Sequence, residues 1–114
     1  MSDRRLPGRR ANRHQTKVFE VASEKILGRL VNISTGGMMV ISERHFEIGE
    51  LLDVRIILPR PIHGVLEMEL RAEARWCTPD ENPQFKAVGF LFHGLTTEDK
   101  LLIEESFDRF CLVG

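Results

Sequence analysis

Leu66-Glu67-Met68-Glu69-Leu70-Arg71-Ala72-Glu73-Ala74-Arg75-Trp76-Cys77 sets an apolar residue at every even position from 66 to 76 and a charged residue at every odd position between them. A strict period of two over this length makes one face apolar and the other polar, as in a β-strand half-buried in an antiparallel sheet. In a helix the same residues would spread their apolar groups around the whole circumference. The fold is therefore expected to rest on antiparallel strands, with Leu66, Met68, Leu70, Ala72, Ala74 and Trp76 directed at the core.

Downstream, residues 78–83 read as a turn and Ala87-Val88-Gly89-Phe90-Leu91-Phe92 as a final strand. Thr96 is placed to cap a helix whose first turn carries Glu98 and Asp99, acidic groups that suit the positive helix end. Ile103, Phe107, Phe110 and Cys111 fall on one stripe and would dock that helix on the sheet. Upstream, Leu52, Val54, Ile56 and Leu58 share one face of a strand. The following Pro59-Arg60-Pro61-Ile62-His63-Gly64 is expected to break the ladder and form a loop, because proline has no N–H to donate. Met38-Met39-Val40-Ile41 reads as a short strand followed by a loop over 43–49. Residues 17–22 and 26–32 flank the polar link Ser23-Glu24-Lys25 in the manner of a hairpin.

Six short antiparallel strands and one helix favour closure, since a closed sheet has no exposed edge. The expected fold class is all-β: a small six-stranded antiparallel β-barrel with a C-terminal α-helix and a flexible basic N-terminal arm. The arm is assigned to residues 1–15, the barrel to 16–94 and the helix to 96–111, all within a single domain spanning 1–114. The arm is nearly devoid of hydrophobic residues and cannot bury enough surface to order itself.

Charge is unevenly distributed. The formal net charge is −1, yet residues 1–17 carry six Lys/Arg against one acid, and the remaining residues carry ten against sixteen. A basic arm on an acidic body suits a small anion better than an extended polyanion. Cys77 and Cys111 lie in apolar contexts without a CxxC spacing, and are read as buried thiols of a cytoplasmic protein. No apolar run approaches the roughly 18 residues of a membrane span, so a soluble protein is expected. The four histidines, His14, His45, His63 and His93, are dispersed, and no metal site is expected. GxSxG, P-loop and GxGxxG elements are missing, so the reading is of a non-enzyme.

Five arginines, Arg4, Arg5, Arg9, Arg10 and Arg13, stand among the first thirteen residues, and the polar-glycine turn Asn32-Ile33-Ser34-Thr35-Gly36-Gly37 follows. Guanidinium forks match phosphate oxygens and the O6/N7 edge of guanine, and the turn offers short polar groups and a closely approachable backbone. The implied ligand is anionic and contains guanine.

With an RxxxR element, a [D/N]xSxxG element after it, and the strand pattern above, the chain resembles the PilZ domain family, bacterial receptor modules for cyclic di-GMP. Asn32, Ser34 and Gly37 fill every specified position of the second element. Arg5-Leu6-Pro7-Gly8-Arg9 and Arg9-Arg10-Ala11-Asn12-Arg13 both satisfy the first; spacing to the first strand and to Asn32 favours Arg5 and Arg9, and Arg9 belongs to either. The resemblance implies that these arginines clamp phosphate or guanine by charge-assisted hydrogen bonds, that Asn32 and Ser34 contact the ligand from the barrel, and that Gly37 leaves room for it. The arm would then fold over the ligand, opposed by its ordering entropy. A long basic residue directly before the RxxxR pair, here Arg4, is associated with an intercalated pair of ligand molecules. If Arg9 and Arg13 are the operative pair, Gly8 takes that slot and one molecule is implied. No cofactor beyond the ligand is implied, and the output would pass to an unidentified protein effector, in motility, biofilm polysaccharide, pili or chemotaxis.

Plainer readings stand beside these. The arginines alone would make a solvated basic tail, and the turn alone a structural bend in which Ser34 bonds its own backbone and Gly37 supplies a left-handed conformation. Trp76 is assigned to barrel packing ahead of base stacking. A PilZ-like adaptor without nucleotide affinity and a small nucleic-acid-binding barrel are the alternative functions. The latter is disfavoured because one tryptophan and no tyrosine leave few stacking platforms.

Overall fold

The computed structural model describes residues 16–110, with the side chains at 59, 60 and 106–110 left aside. Six strands, β1 (Lys17–Glu20), β2 (Lys25–Ile33), β3 (Gly37–Ser42), β4 (Leu51–Ile62), β5 (Val65–Pro79) and β6 (Lys86–His93), precede one helix, α1 (Thr97–Phe110). Every pairing is antiparallel, and the order β1-β2-β3-β6-β5-β4 closes because β1 also pairs with β4. The expected arm, with Arg4, Arg5, Arg9 and Arg13, lies outside the described residues, as does Cys111.

Inward residues of facing strands form the core: Val18, Val40, Val54, Ala72, Ala74 and Val88 are wholly buried. β-branched and small side chains fill a narrow barrel in their preferred rotamers. Phe46, from the connection between β3 and β4, inserts from one end and meets Phe90 edge to face at 5.3 Å between ring centroids. Arg44 covers the outer side of that ring and is tied to Glu50 and Glu20.

A sheet closes at this radius only if its strands bend, and three bulges supply the bend. They place an extra residue at Leu27 opposite β1, at Val31 opposite β3 and at Arg75 opposite β6. The bulge at Arg75 corrects the expectation for Trp76. Alternation holds through Met68, Leu70, Ala72 and Ala74, all buried, but one inserted residue reverses the faces beyond it. Trp76 points outward and is 42% exposed, while Cys77 turns inward and packs against the core. Cys77 is half-buried, with its sulfur 3.8 Å from Nδ1 of His45. Leu66, at the other end of the run, is also exposed, where pairing with β4 is interrupted.

The proline segment departs from expectation too. β4 continues through Pro59 and Pro61 to Ile62, with pairing interrupted between Ile57 and Ile62, where the missing N–H groups carry no ladder bond. The turn itself is only His63-Gly64, with φ of 53° and 78°, the left-handed pair of a type I′ hairpin. The first hairpin is likewise shifted: its turn occupies residues 21–24, closed by Glu24 N–H donating to Glu20 O at 2.8 Å.

Helix α1 opens on a reciprocal box in which Asp99 N–H donates to Thr96 Oγ1 and Thr96 N–H donates to Asp99 Oδ2, both at 3.0 Å. Leu102 and Ile103 are buried and pack against the core beside β4. Leu102 joins the contact that the stripe from Ile103 led us to expect.

Candidate functional site

Cross-strand register resolves the barrel's outer surface into rows. Ile33, Met38, Phe90 and Ala74 form an inward row, all buried. By alternation the neighbouring row, Asn32, Met39, Gly89 and Trp76 on β2, β3, β6 and β5, faces outward. Asn32 is half-buried, and its side-chain amide has no hydrogen-bond partner among the described residues. A half-buried amide with two donors and an acceptor unengaged is equipped to meet a base edge or a phosphate.

The turn after Asn32 is tightly specified. Ser34 N–H donates to Gly37 O at 2.8 Å, and Phe92 N–H on β6 donates to Gly36 O at 3.0 Å. Ser34 Oγ accepts from Gly36 N–H at 3.2 Å. Its hydroxyl hydrogen has no acceptor among the described residues, so Ser34 stabilises the turn and remains a donor.

Gly37 is required for a different reason than a left-handed backbone. Among the described glycines, positive φ occurs at Gly49, Gly64 and Gly94, and not at Gly37. A Cβ at Gly37 would instead lie 2.0 Å from the carbonyl oxygen of Phe90. The close approach of β3 to β6 excludes a side chain, and the expectation of an αL glycine is corrected accordingly. Gly36 has open space, with Ser34 Oγ the nearest atom at 3.8 Å from a would-be Cβ.

Thr16 ties the preceding segment to this region. It is buried, and its carbonyl accepts from Leu30 N–H at 2.8 Å, two residues along β2 from Asn32. Because β1 is antiparallel to β2, the chain reaches β1 from the end of β2 that carries the turn. Asn32, Ser34 and Gly37 are thus brought together beside the point where residue 16 enters the barrel. Arg4, Arg5, Arg9 and Arg13 precede the described residues.

Trp76 is the site feature that the alternating pattern concealed. Its indole lies over Gly89, where a Cβ would meet Cε2 and Nε1 at 2.2 Å. The absence of a side chain at 89 lets the ring lie back along the row toward Met39 and Asn32. No local signal in the sequence announces a bulge at Arg75.

The PilZ domain family model matches residues 3–109, almost the whole chain, and the match includes both the arginine-rich segment and the Asn32–Gly37 turn. The chain belongs to the PilZ domain family. This PilZ domain is similar in structure to the Bacillus subtilis inhibitor of motility, MotI/DgrA, with a TM-score of 0.63 and 21% identity, over 82% of this chain and 44% of that one. It is also similar to the PilZ domain of YcgR from Escherichia coli, determined with c-di-GMP, with a TM-score of 0.61 and 14% identity, over 84% of this chain and 82% of that one. The chain spans less than half the length of the motility inhibitor, and at these identities the likeness is one of fold. No curated protein matches the chain. Among the described residues of this PilZ domain, no helix is long and apolar enough to cross a membrane.

Proposed function

We propose that this PilZ domain is a cyclic di-GMP receptor that acts without catalysis. Arg5 and Arg9, or Arg9 and Arg13, close from the N-terminal side over a ligand seated against Asn32, Ser34 and Gly37. Arg4 sets whether one ligand molecule or an intercalated pair is bound. The supporting observation is the side-chain amide of Asn32 on the outer face, which has no hydrogen-bond partner among the described residues, beside a turn held by Ser34 and Gly37 and next to the entry of the chain at Thr16.

The ligand carries two phosphates and two guanines. Arginine forks bind the former or the O6/N7 edge of the latter bidentately, which lysine cannot reproduce. Asn32 and Ser34 supply neutral donors, and the row reaching Trp76 offers an exposed indole on which a base can stack. Ordering of the arm changes the surface offered to a protein effector, and this couples second-messenger level to output.

Calorimetry with cyclic di-GMP tests the reading. Arg9→Ala, which breaks either arginine pair, is expected to cost about 1–3 kcal/mol, or roughly fivefold to over a hundredfold in affinity. Trp76 is the single tryptophan in a chain without tyrosine, so its emission should change on saturation. Equal affinities for wild type and Arg9→Ala would remove the arginines from the mechanism. Failure of the wild type to bind would favour a purely protein-binding adaptor.

A further inference from the structure

One outer row from Asn32, the register places Lys17 of β1 directly opposite Arg29 of β2. Both are exposed, and neither has a carboxylate partner among the described residues. Directly opposed side chains in an antiparallel pair stand about 5 Å apart at Cβ, and like charges there repel. Three other cations of the barrel are paired: Arg71 with Asp53, Arg55 with Glu69, and Arg44 with Glu50 and Glu20. On a body with an excess of acids, a directly opposed pair of cations without a carboxylate among the described residues calls for an anion.

The pair lies on the wall of a cleft of about 480 Å³. The exposed Ile26 and half-buried Phe85 contribute apolar surface to the lining, beside Ile41, which is paired with Arg29 and itself buried. Glu43 lines the cleft too, so an anion is drawn to the Lys17 and Arg29 side. Apolar surface next to two opposed cations suits a ligand with a phosphate and a flat or sugar-like body.

We infer that Lys17 and Arg29 form a barrel-borne phosphate site for the cyclic dinucleotide, adding to the arginines of the N-terminal segment. This rests on the receptor reading above and extends its footprint along β2 from Asn32 to Arg29. One phosphodiester sits between the two cations and relieves their repulsion, while the attached nucleoside covers the exposed Ile26. The unliganded barrel thus holds a destabilising charge pair because the ligand requires it.

Calorimetric titration of cyclic di-GMP into wild type, Lys17→Gln, Arg29→Gln and the double variant, with ligand-free melting of each, tests this. The double variant is expected to bind at least about fivefold more weakly, with a melting temperature equal to or above that of wild type. Binding by the double variant as tight as wild type, with Arg9→Ala impaired, overturns this site and leaves the receptor reading standing. A melting temperature that falls in step with affinity assigns the pair a structural role and also overturns it. Inorganic phosphate bound as tightly as the dinucleotide reduces the pair to a general anion patch, with the same consequence. A wild type that does not bind cyclic di-GMP removes both readings together.

Discussion

At the scale of single residues, the turn after β2 shows two neighbouring glycines with unlike duties. Gly37 is fixed by the carbonyl of Phe90, 2.0 Å from where its Cβ would stand, whereas Gly36 faces open space. Gly37→Ala must push β3 away from β6 and is expected to lose about 1–3 kcal/mol of stability. Gly36→Ala should stay within about 0.5 kcal/mol of wild type. Chemical denaturation of the two variants decides it; equal losses would mean the contact between β3 and β6 yields readily. Ser34 shows how one side chain can hold structure and keep a donor for the proposed ligand: its oxygen holds Gly36 N–H while its hydrogen has no acceptor among the described residues.

At the scale of elements, bulges do what the alternating pattern by itself cannot. A period of two carries β5 correctly from Met68 to Ala74, and the extra residue at Arg75 then exchanges the faces, sending Trp76 out and Cys77 in. The same device at Val31 brings Asn32 onto the outer row two residues after Leu30 has faced the core. The helix obeys more local rules. Its capping box between Thr96 and Asp99 is readable from residue spacing and is present. Thr96→Ala should therefore lower stability by about 1 kcal/mol, measured by thermal melting followed by circular dichroism. No change would show that docking of Leu102 and Ile103 holds the first turn without its cap.

At the scale of the whole molecule, closure of six strands leaves a rigid outer surface on which the candidate ligand contacts from β1, β2, β3 and β5 are already in register. A ligand bound to that folded surface and not to the unfolded chain stabilises it by mass action. At a hundredfold excess over Kd, cyclic di-GMP is expected to add about 2.7 kcal/mol, seen as a ligand-dependent rise in melting temperature. An unchanged melting temperature under those conditions would contradict binding to the folded domain.

The sequence by itself determined the antiparallel strands, their number, the helix with its cap, and the paired motifs that mark the family. Each is written in short-range spacing: alternation, an N-cap three residues before an acid, and an Asn-Ser-Gly pattern within six positions. Tertiary structure alone decided that the prolines ride inside β4, that Trp76 faces outward, that Gly37 answers to Phe90 rather than to its own φ, and that Lys17 confronts Arg29. Those outcomes depend on which residue lies opposite which. Cross-strand register is set by hydrogen bonds between distant segments and by the bends a closed barrel demands, and no local pattern encodes it.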